Sequence, residues 1–246
     1  MLDYLYDGSF SGYLTTLFYA YPLKEEVRIY KELTYSPSLL TTSKYITTEE
    51  DKSERVYQSI LTKLSYSTLD NLYNIYLSDE VESETLGLKY IKLCYHYGDD
   101  INLAKNNDII RTVDLTCKRV WKEVHRFYGF VRFKEIAPLT FYAAIEPNHN
   151  ILPLMIGHFK KRFSDQNFII HDQKRHCAMI YNQHEIYISY LSIEDSHQLA
   201  KAEIRDNFEE LFKTYYKATT IAERKNPRLQ NSWMPKRYYK HLVELD

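Results

Sequence analysis

HRFYGFVRFKEIAPLTFYAAIEPNHNILPLMIGHFKKRF (His125–Phe163) is the stretch that decides the fold. Two runs, Phe130–Ile136 and Phe141–Glu146, are rich in β-branched and aromatic residues and flank Ala137-Pro138-Leu139-Thr140, so they read as a hairpin. Side chains alternate along a strand, which puts Val131 and Phe133 on one face and Arg132 and Lys134 on the other. Pro147 ends the second strand. Asn148 or Asn150 is expected to cap the helix that follows, with Pro153 in its first turn, where a missing N–H is tolerated. Met155, Phe159 and Phe163 mark that helix's buried side, and Lys160, Lys161 and Arg162 close its last turn favourably for the helix dipole.

Working back from this stretch, Ile110, Val113, Cys117, Val120, Val124 and Phe127 recur by threes and fours and predict a helix from about Asn107 to Tyr128, ended by Gly129. Lys118, Arg119, Lys122, His125 and Arg126 fall on its other side. Forward, Asn167–Asp172, His176–Asn182 and Glu185–Leu191 predict three more strands. Ser192 then caps a long helix whose inward side is Ile204, Phe208, Leu211 and Tyr215. The expected fold is α+β, with a mainly antiparallel sheet of about five strands packed with helices.

The preceding part of the chain reads as helical. Leu2–Tyr6 is a short strand and Asp7-Gly8 a turn, after which Ser9 caps a helix carrying Phe10, Leu14, Leu17 and Tyr21 up to Pro22. Residues 23–46 are expected to be loop with one short helix. Thr48–Leu64 is helical, Ser67-Thr68-Leu69-Asp70 has near-capping-box spacing and opens another helix, and Glu82–Tyr97 ends at Gly98. The organisation is therefore an acidic, mainly helical region 1–106 and a basic α+β region 107–246, together one compact unit.

The 246 residues allow one large or two small domains. The net charge of −1 hides a division: residues 1–116 hold eleven Lys/Arg against eighteen Asp/Glu, and residues 117–246 hold twenty-one against fifteen. Such polarity points to a polyanion on the basic half, or to two halves that attract each other. Asp3 and Asp7 interrupt any apolar leader, and the run Ile151–Gly157 is far below the ~20 residues that span a bilayer. Three cysteines without close spacing (Cys94, Cys117, Cys177) fit a reducing cytoplasm rather than a disulfide or zinc framework. No nucleotide-binding glycine pattern, HExxH or nucleophile elbow occurs, so no cofactor and no metal is expected.

The candidate chemistry lies in two places. The tail RKNPRLQNSWMPKRYYKH (Arg224–His241) has six Lys/Arg and no acid, interleaved with Trp233, Tyr238 and Tyr239. Cations for phosphates and rings for bases make that a nucleic-acid composition, although a docked terminal helix with a basic outer side has the same one. The titratable groups His125, Glu135, Glu146, His149, His158, His171, Asp172 and His176 gather around the opening stretch. Among them Glu146, with His149 and Asn150, best fits a single acid working on a flipped base; a hairpin-capping salt bridge is the structural alternative.

These residues also resemble a known family, bacterial proteins named for DNA metabolism or repair that carry the domain DUF4130. The likeness rests on YDGSFSGYLTTLF (6–18), HRFYGFVRF (125–133), YAAIEPNHNILPLMIGHFKKRF (142–163) and RKNPRLQNSWMPKRYYKHL (224–242), in the family's order. The resemblance implies work in DNA repair or modification beside a radical S-adenosylmethionine protein. It implies no catalytic roles, and this chain lacks the CxxxCxxC of the radical enzyme. The family-like positions are Arg126, Arg132, Glu146, His149, Asn150, His158, Arg162, Arg224, Asn226, Gln230, Lys236 and Arg237.

The resulting expectation is a DNA-binding accessory protein. Lys122, Arg126, Arg132, Arg162, Arg224, Arg228, Lys236 and Arg237 would take phosphates, and Tyr238 or Trp233 a base. His125, Asn150, His158, Asn226 and Gln230 are further site candidates. The alternatives are a base-excision enzyme using Glu146 and His149, and a protein-interaction adaptor indifferent to nucleic acid.

Overall fold

The computed structural model describes residues 2–37, 41–201, 207–224 and 226–245, without the side chains of residues 200–210, 222 and 245. The chain divides into two compact units, Met1–Trp121 and Lys122–Asp246.

In the first unit, β1 (Leu2–Tyr6) leads through Asp7-Gly8 into α1 (Phe10–Ala20). The turn works because Gly8 takes φ 86 and Ser9 Oγ accepts the N–H of Gly12 at 2.9 Å. The next segment has the expected short helix, as a 3₁₀ turn at Glu32–Thr34, but the expectation of loop on either side of it is corrected. It contains two strands, β2 (Val27–Lys31) and β3 (Thr42–Tyr45), which flank β1 in a parallel sheet of order β2-β1-β3. Only Val27 and Ile29 supply an alternating apolar signal in VRIYK, and TSKY of β3 is exposed throughout, so neither strand stands out by pattern.

Helices α2 (Glu50–Lys63), α3 (Tyr66–Leu77), α4 (Ser83–Tyr97) and the start of α5 (Asp108–Phe130) complete this unit. The cap of α3 is Ser65, whose Oγ accepts from Thr68 N at 3.1 Å, rather than Ser67. The core gathers Tyr6, Tyr13, Leu17, Ile29, Ile60, Leu72, Ile75 and Ile91. Each such side chain contributes about 1.5–3 kcal/mol on burial.

The second unit is built on a five-stranded sheet of order β4-β5-β6-β7-β8. Its elements are β4 (Lys134–Ala137), β5 (Thr140–Ile145), α6 (Leu152–Arg162), β6 (Asn167–Asp172), β7 (Cys177–Tyr181) and β8 (Ile186–Tyr190). Three neighbouring pairs are antiparallel, as expected, and β5–β6 is parallel because α6 carries the chain back between them. Helices α7 (Ile193–Lys201), α8 (Asn207–Thr219) and α9 (Pro227–Trp233) follow, and a 3₁₀ segment, Lys236–His241, lies beyond them. Val124 and Phe127 of α5 pack here with Met155, Phe159, Phe168, Met179 and Tyr238.

Several local expectations are corrected. Helix α5 runs through Gly129 to Phe130, so Val131–Phe133 is connector and the strand begins only at Lys134. The expected long helix after Ser192 is described as helix over Ile193–Lys201 and Asn207–Thr219, and Leu211 and Tyr215 are each 63% exposed instead of inward. Ile204 and the side chain of Phe208 lie outside the described residues. No described helix is long and apolar enough to cross a membrane.

Candidate nucleic-acid interface

A single carboxylate organises the region. Glu123 lies on α5 three residues after Val120 and four before Phe127, hence on the apolar side of the helix, and is 3% exposed. A carboxylate taken that far from water must be fully hydrogen-bonded. One oxygen accepts the N–H of Asn148 at 3.0 Å, the other the N–H of His149 at 2.8 Å, and the Tyr238 hydroxyl donates to the first. Burial and the neighbouring Glu123 push the Tyr238 phenol up to about 12, so it keeps the proton it donates. Arg237 adds a 3.8 Å ion pair with Glu123, donates to the Tyr238 oxygen at 2.7 Å and lies 4.5 Å from that ring's centroid.

These bonds explain why neither Asn148 nor Asn150 caps α6, as had been expected. The backbone of the loop is spent on Glu123, and the helix starts after Ile151 without a side-chain cap. The same loop is held from its other side. Arg175 donates to the carbonyls of Pro147 (3.2 Å) and Asn148 (2.6 Å), and Lys174 to Asn148 (3.0 Å). Arg175 is itself fixed by the buried Asp172 at 2.7 Å, whose other oxygen accepts the N–H groups of Lys174 and Arg175. Ile145 and Asp172 are register partners, so the whole arrangement stands at the carboxyl ends of the parallel pair, where open α/β sheets tend to bind ligands.

The tail is brought to the same place. Arg126 donates to the carbonyl of Ser232 at 2.9 Å, one residue before Trp233, and Tyr239 donates to Asn231 at 2.9 Å. Asn226 caps α9 through Leu229 N at 3.0 Å, and Gln230 accepts the N–H of Met234 through its carbonyl. The basic face of α5 and the basic aromatic tail therefore meet. Lys122, His125, Arg224, Arg228, Lys236 and Arg237 are exposed on these elements, and Trp233 is 65% exposed.

Other expected cations do not join them. Arg132 is on no strand face: its guanidinium pairs with Glu244 through two bonds, 2.5 and 3.2 Å, and donates to the Gly129 carbonyl. That Glu244 side chain is 4% exposed, so the pair is structural and Arg132 is withdrawn from phosphate contact. Arg162 is exposed at the distal end of α6, about 15 Å along the helix from the loop, with its guanidinium near Phe163.

Tyr238 is corrected as a base-stacking residue. At 1% exposure, with Phe127 and Phe130 against its ring, it offers no face to a ligand. His149 is buried as well, and its backbone rather than a catalytic imidazole is what the loop presents to Glu123. Glu146 pairs with Lys240 at 2.5 Å and with His241 at 3.6 Å. Burial draws His241 below the usual histidine value while Glu146 pulls it back. His158 stacks on Tyr128 at 4.0 Å and is lowered by burial and by Arg162; Asn150 is half-buried. No group of three potential metal ligands occurs among the described residues.

A second polar cluster lies within this unit. His171 Nδ1 meets the Tyr142 hydroxyl at 2.9 Å, and its Nε2 meets Ser196 Oγ at 2.9 Å, which also contacts His176 Nδ1 at 3.0 Å. His171 is fully buried, and burial with the neighbouring His176 lowers it to about 4.

Glu123, Arg175 and Glu244 were not singled out by sequence reasoning. The available signal for Glu123 was a lone acid on an otherwise apolar helix stripe. For Arg175 and Glu244 the sequence carries none, since each acts through partners settled only by the fold.

A mixed five-stranded unit with one carboxylate tying a helix, a loop and a basic tail is the class that the geometry defines. The chain belongs to the DUF4130 family, a domain of unknown function, whose sequence model matches residues 81–244. No curated protein and no solved structure matched the chain.

Proposed function

We propose that the protein binds DNA through the α5–tail face of its second unit, as an accessory to a repair or modification enzyme, with a radical S-adenosylmethionine protein as partner. One observation carries the binding reading: the Glu123–Tyr238 and Arg126–Ser232 bonds bring two basic segments a hundred residues apart together, leaving Lys122, Lys236, Arg237 and Trp233 outward. Cations that track phosphates beside an exposed ring suit a strand with at least one accessible base. The partner rests on the family likeness alone. Glu146, occupied by Lys240 and His241, and the buried His149 favour binding over base excision.

The test is fluorescence anisotropy with labelled oligonucleotides at several salt concentrations. Affinity should fall steeply with salt, and the Lys122→Ala/Lys236→Ala pair should lower the log–log slope by about 2. Trp233→Ala should weaken single-strand binding about tenfold. A flat salt response overturns the reading, and lesion-specific cleavage lost in Glu146→Gln replaces it with base excision. Co-purification with the radical enzyme, repeated after nuclease, tests the partner: loss of the protein partner in both arms removes it.

A further inference from the structure

The first unit holds a cavity of about 270 Å³ lined by Phe10, Tyr57, Tyr66, Leu69, Asp70 and Tyr73. Four of these, 66, 69, 70 and 73, follow the i, i+3, i+4, i+7 rule on α3 and so share one helix face. Phe10 comes from the start of α1 and Tyr57 from α2. The rings of Phe10 and Tyr73 meet edge to face, with centroids 4.9 Å apart and planes at 77°, and so form a corner instead of a flat wall. All of these residues precede the family-matched segment 81–244.

The lining has a definite charge preference. It contains four aromatic rings, one carboxylate and no cation. Asp70 is half-buried, and its side chain accepts a 3.2 Å bond from the neutral Asn74 amide; no Lys or Arg pairs with it among the described residues. Burial pushes this carboxyl up, against the pull of Asn74, as happens when a charge is desolvated without a counter-ion. The unit around it is acidic, with eighteen Asp/Glu against thirteen Lys/Arg over residues 1–121. Anions are disfavoured on both counts, and one carboxylate is too few for a metal.

We infer that this cavity is an aromatic cage for a methylated alkylammonium cation, with the rings of Phe10, Tyr57, Tyr66 and Tyr73 around the head and Asp70 as its counter-charge. Ring faces attract a diffuse cation through their quadrupole, and recognition of quaternary ammonium by such cages is a known use of this interaction. A bare ammonium has three donors to satisfy inside a mainly aromatic lining, whereas a fully methylated head has none. The volume has room for a trimethylammonium head and the carbons attached to it, beside the exposed Tyr66. A free choline-like molecule and a methylated lysine side chain share this chemistry.

Isothermal titration calorimetry on the full chain tests the inference with choline, its neutral isostere 3,3-dimethylbutanol, and a short peptide carrying trimethyl-lysine. Choline or the peptide should bind at least about tenfold more tightly than the neutral isostere. Whichever of the two binds more tightly identifies the source of the cation. Tyr66→Ala, at a position 73% exposed, and the isosteric Asp70→Asn should each weaken that binding about tenfold while leaving the urea midpoint in place. Equal binding of choline, peptide and isostere, or no saturable binding of either cation, overturns it.

Discussion

The two units use their buried acids differently. In the first, Glu25, Glu26, Glu50, Asp51 and Glu54 are exposed, and the buried Asp3 and Glu84 pair with cations of their unit's sheet, Arg28 at 3.0 Å and Lys31 at 3.5 Å. In the second, Glu123, Asp172 and the Glu244 side chain are turned inward and consumed by a loop, a turn and a tail. Over residues 122–246 the count is nineteen Lys/Arg against fifteen Asp/Glu, and two of the inward acids take a cation inward with them, Arg132 with Glu244 and Arg175 with Asp172. The surplus of cations on the second unit's surface is therefore set by composition more than by burial.

The contrast can be broken experimentally, beginning where the expected effect is largest. Glu123→Ala leaves the Tyr238 hydroxyl and two amides without their acceptor, and should cost about 3–5 kcal/mol in urea unfolding. A cost below about 1 kcal/mol would remove Glu123 from its organising role.

Acid should then attack the second unit first. His171 titrates near 4 when folded and near 6.5 when unfolded, so between those values the unfolded chain binds the extra proton. Stability is complete above pH 6.5 and falls as pH drops towards 4, by about 3 kcal/mol. His171→Gln should flatten that fall in a pH series of urea midpoints; an unchanged slope would assign it to other groups.

Arg132→Ala should cost about 2 kcal/mol by stranding the shielded Glu244 carboxylate, and Arg132→Ala/Glu244→Ala should recover part of it. The smallest effect is expected from Lys240→Ala, whose exposed pair with Glu146 is worth at most about 1 kcal/mol. A larger loss at Lys240 would mean that Glu146 is less solvated than its geometry indicates.

How much of this was legible in the sequence follows from the range of the interactions. Helix α5, its seam, the order of β5, α6, β6, β7 and β8, and the Ser9 and Gly98 caps are written in periods of two to four residues. Strands β2 and β3 were missed because a parallel strand is completed by its neighbours, and TSKY has no apolar side to betray it. Of the site, the basic face of α5 and the tail were visible as composition. Their meeting was not, because it depends on Glu123 reaching Tyr238 across 115 positions. Tyr238 itself looked like a stacking residue since tyrosine in a basic segment reads the same whether its ring is packed or free. Arg132 misled for a related reason: its acid lies 112 positions away.

The span of the Glu123–Tyr238 bond also sets a schedule for making the protein. Helix α5 and all five strands leave the ribosome before Tyr238 does, so for part of synthesis the Glu123 carboxylate holds the loop amides with no phenol to receive from. Contacts of such sequence separation form late, after the costly closure of the intervening chain. Until the segment around Tyr238 arrives, the second unit has all its strands but holds a buried Glu123 carboxylate short of one donor, and that segment acts as the latch that closes it.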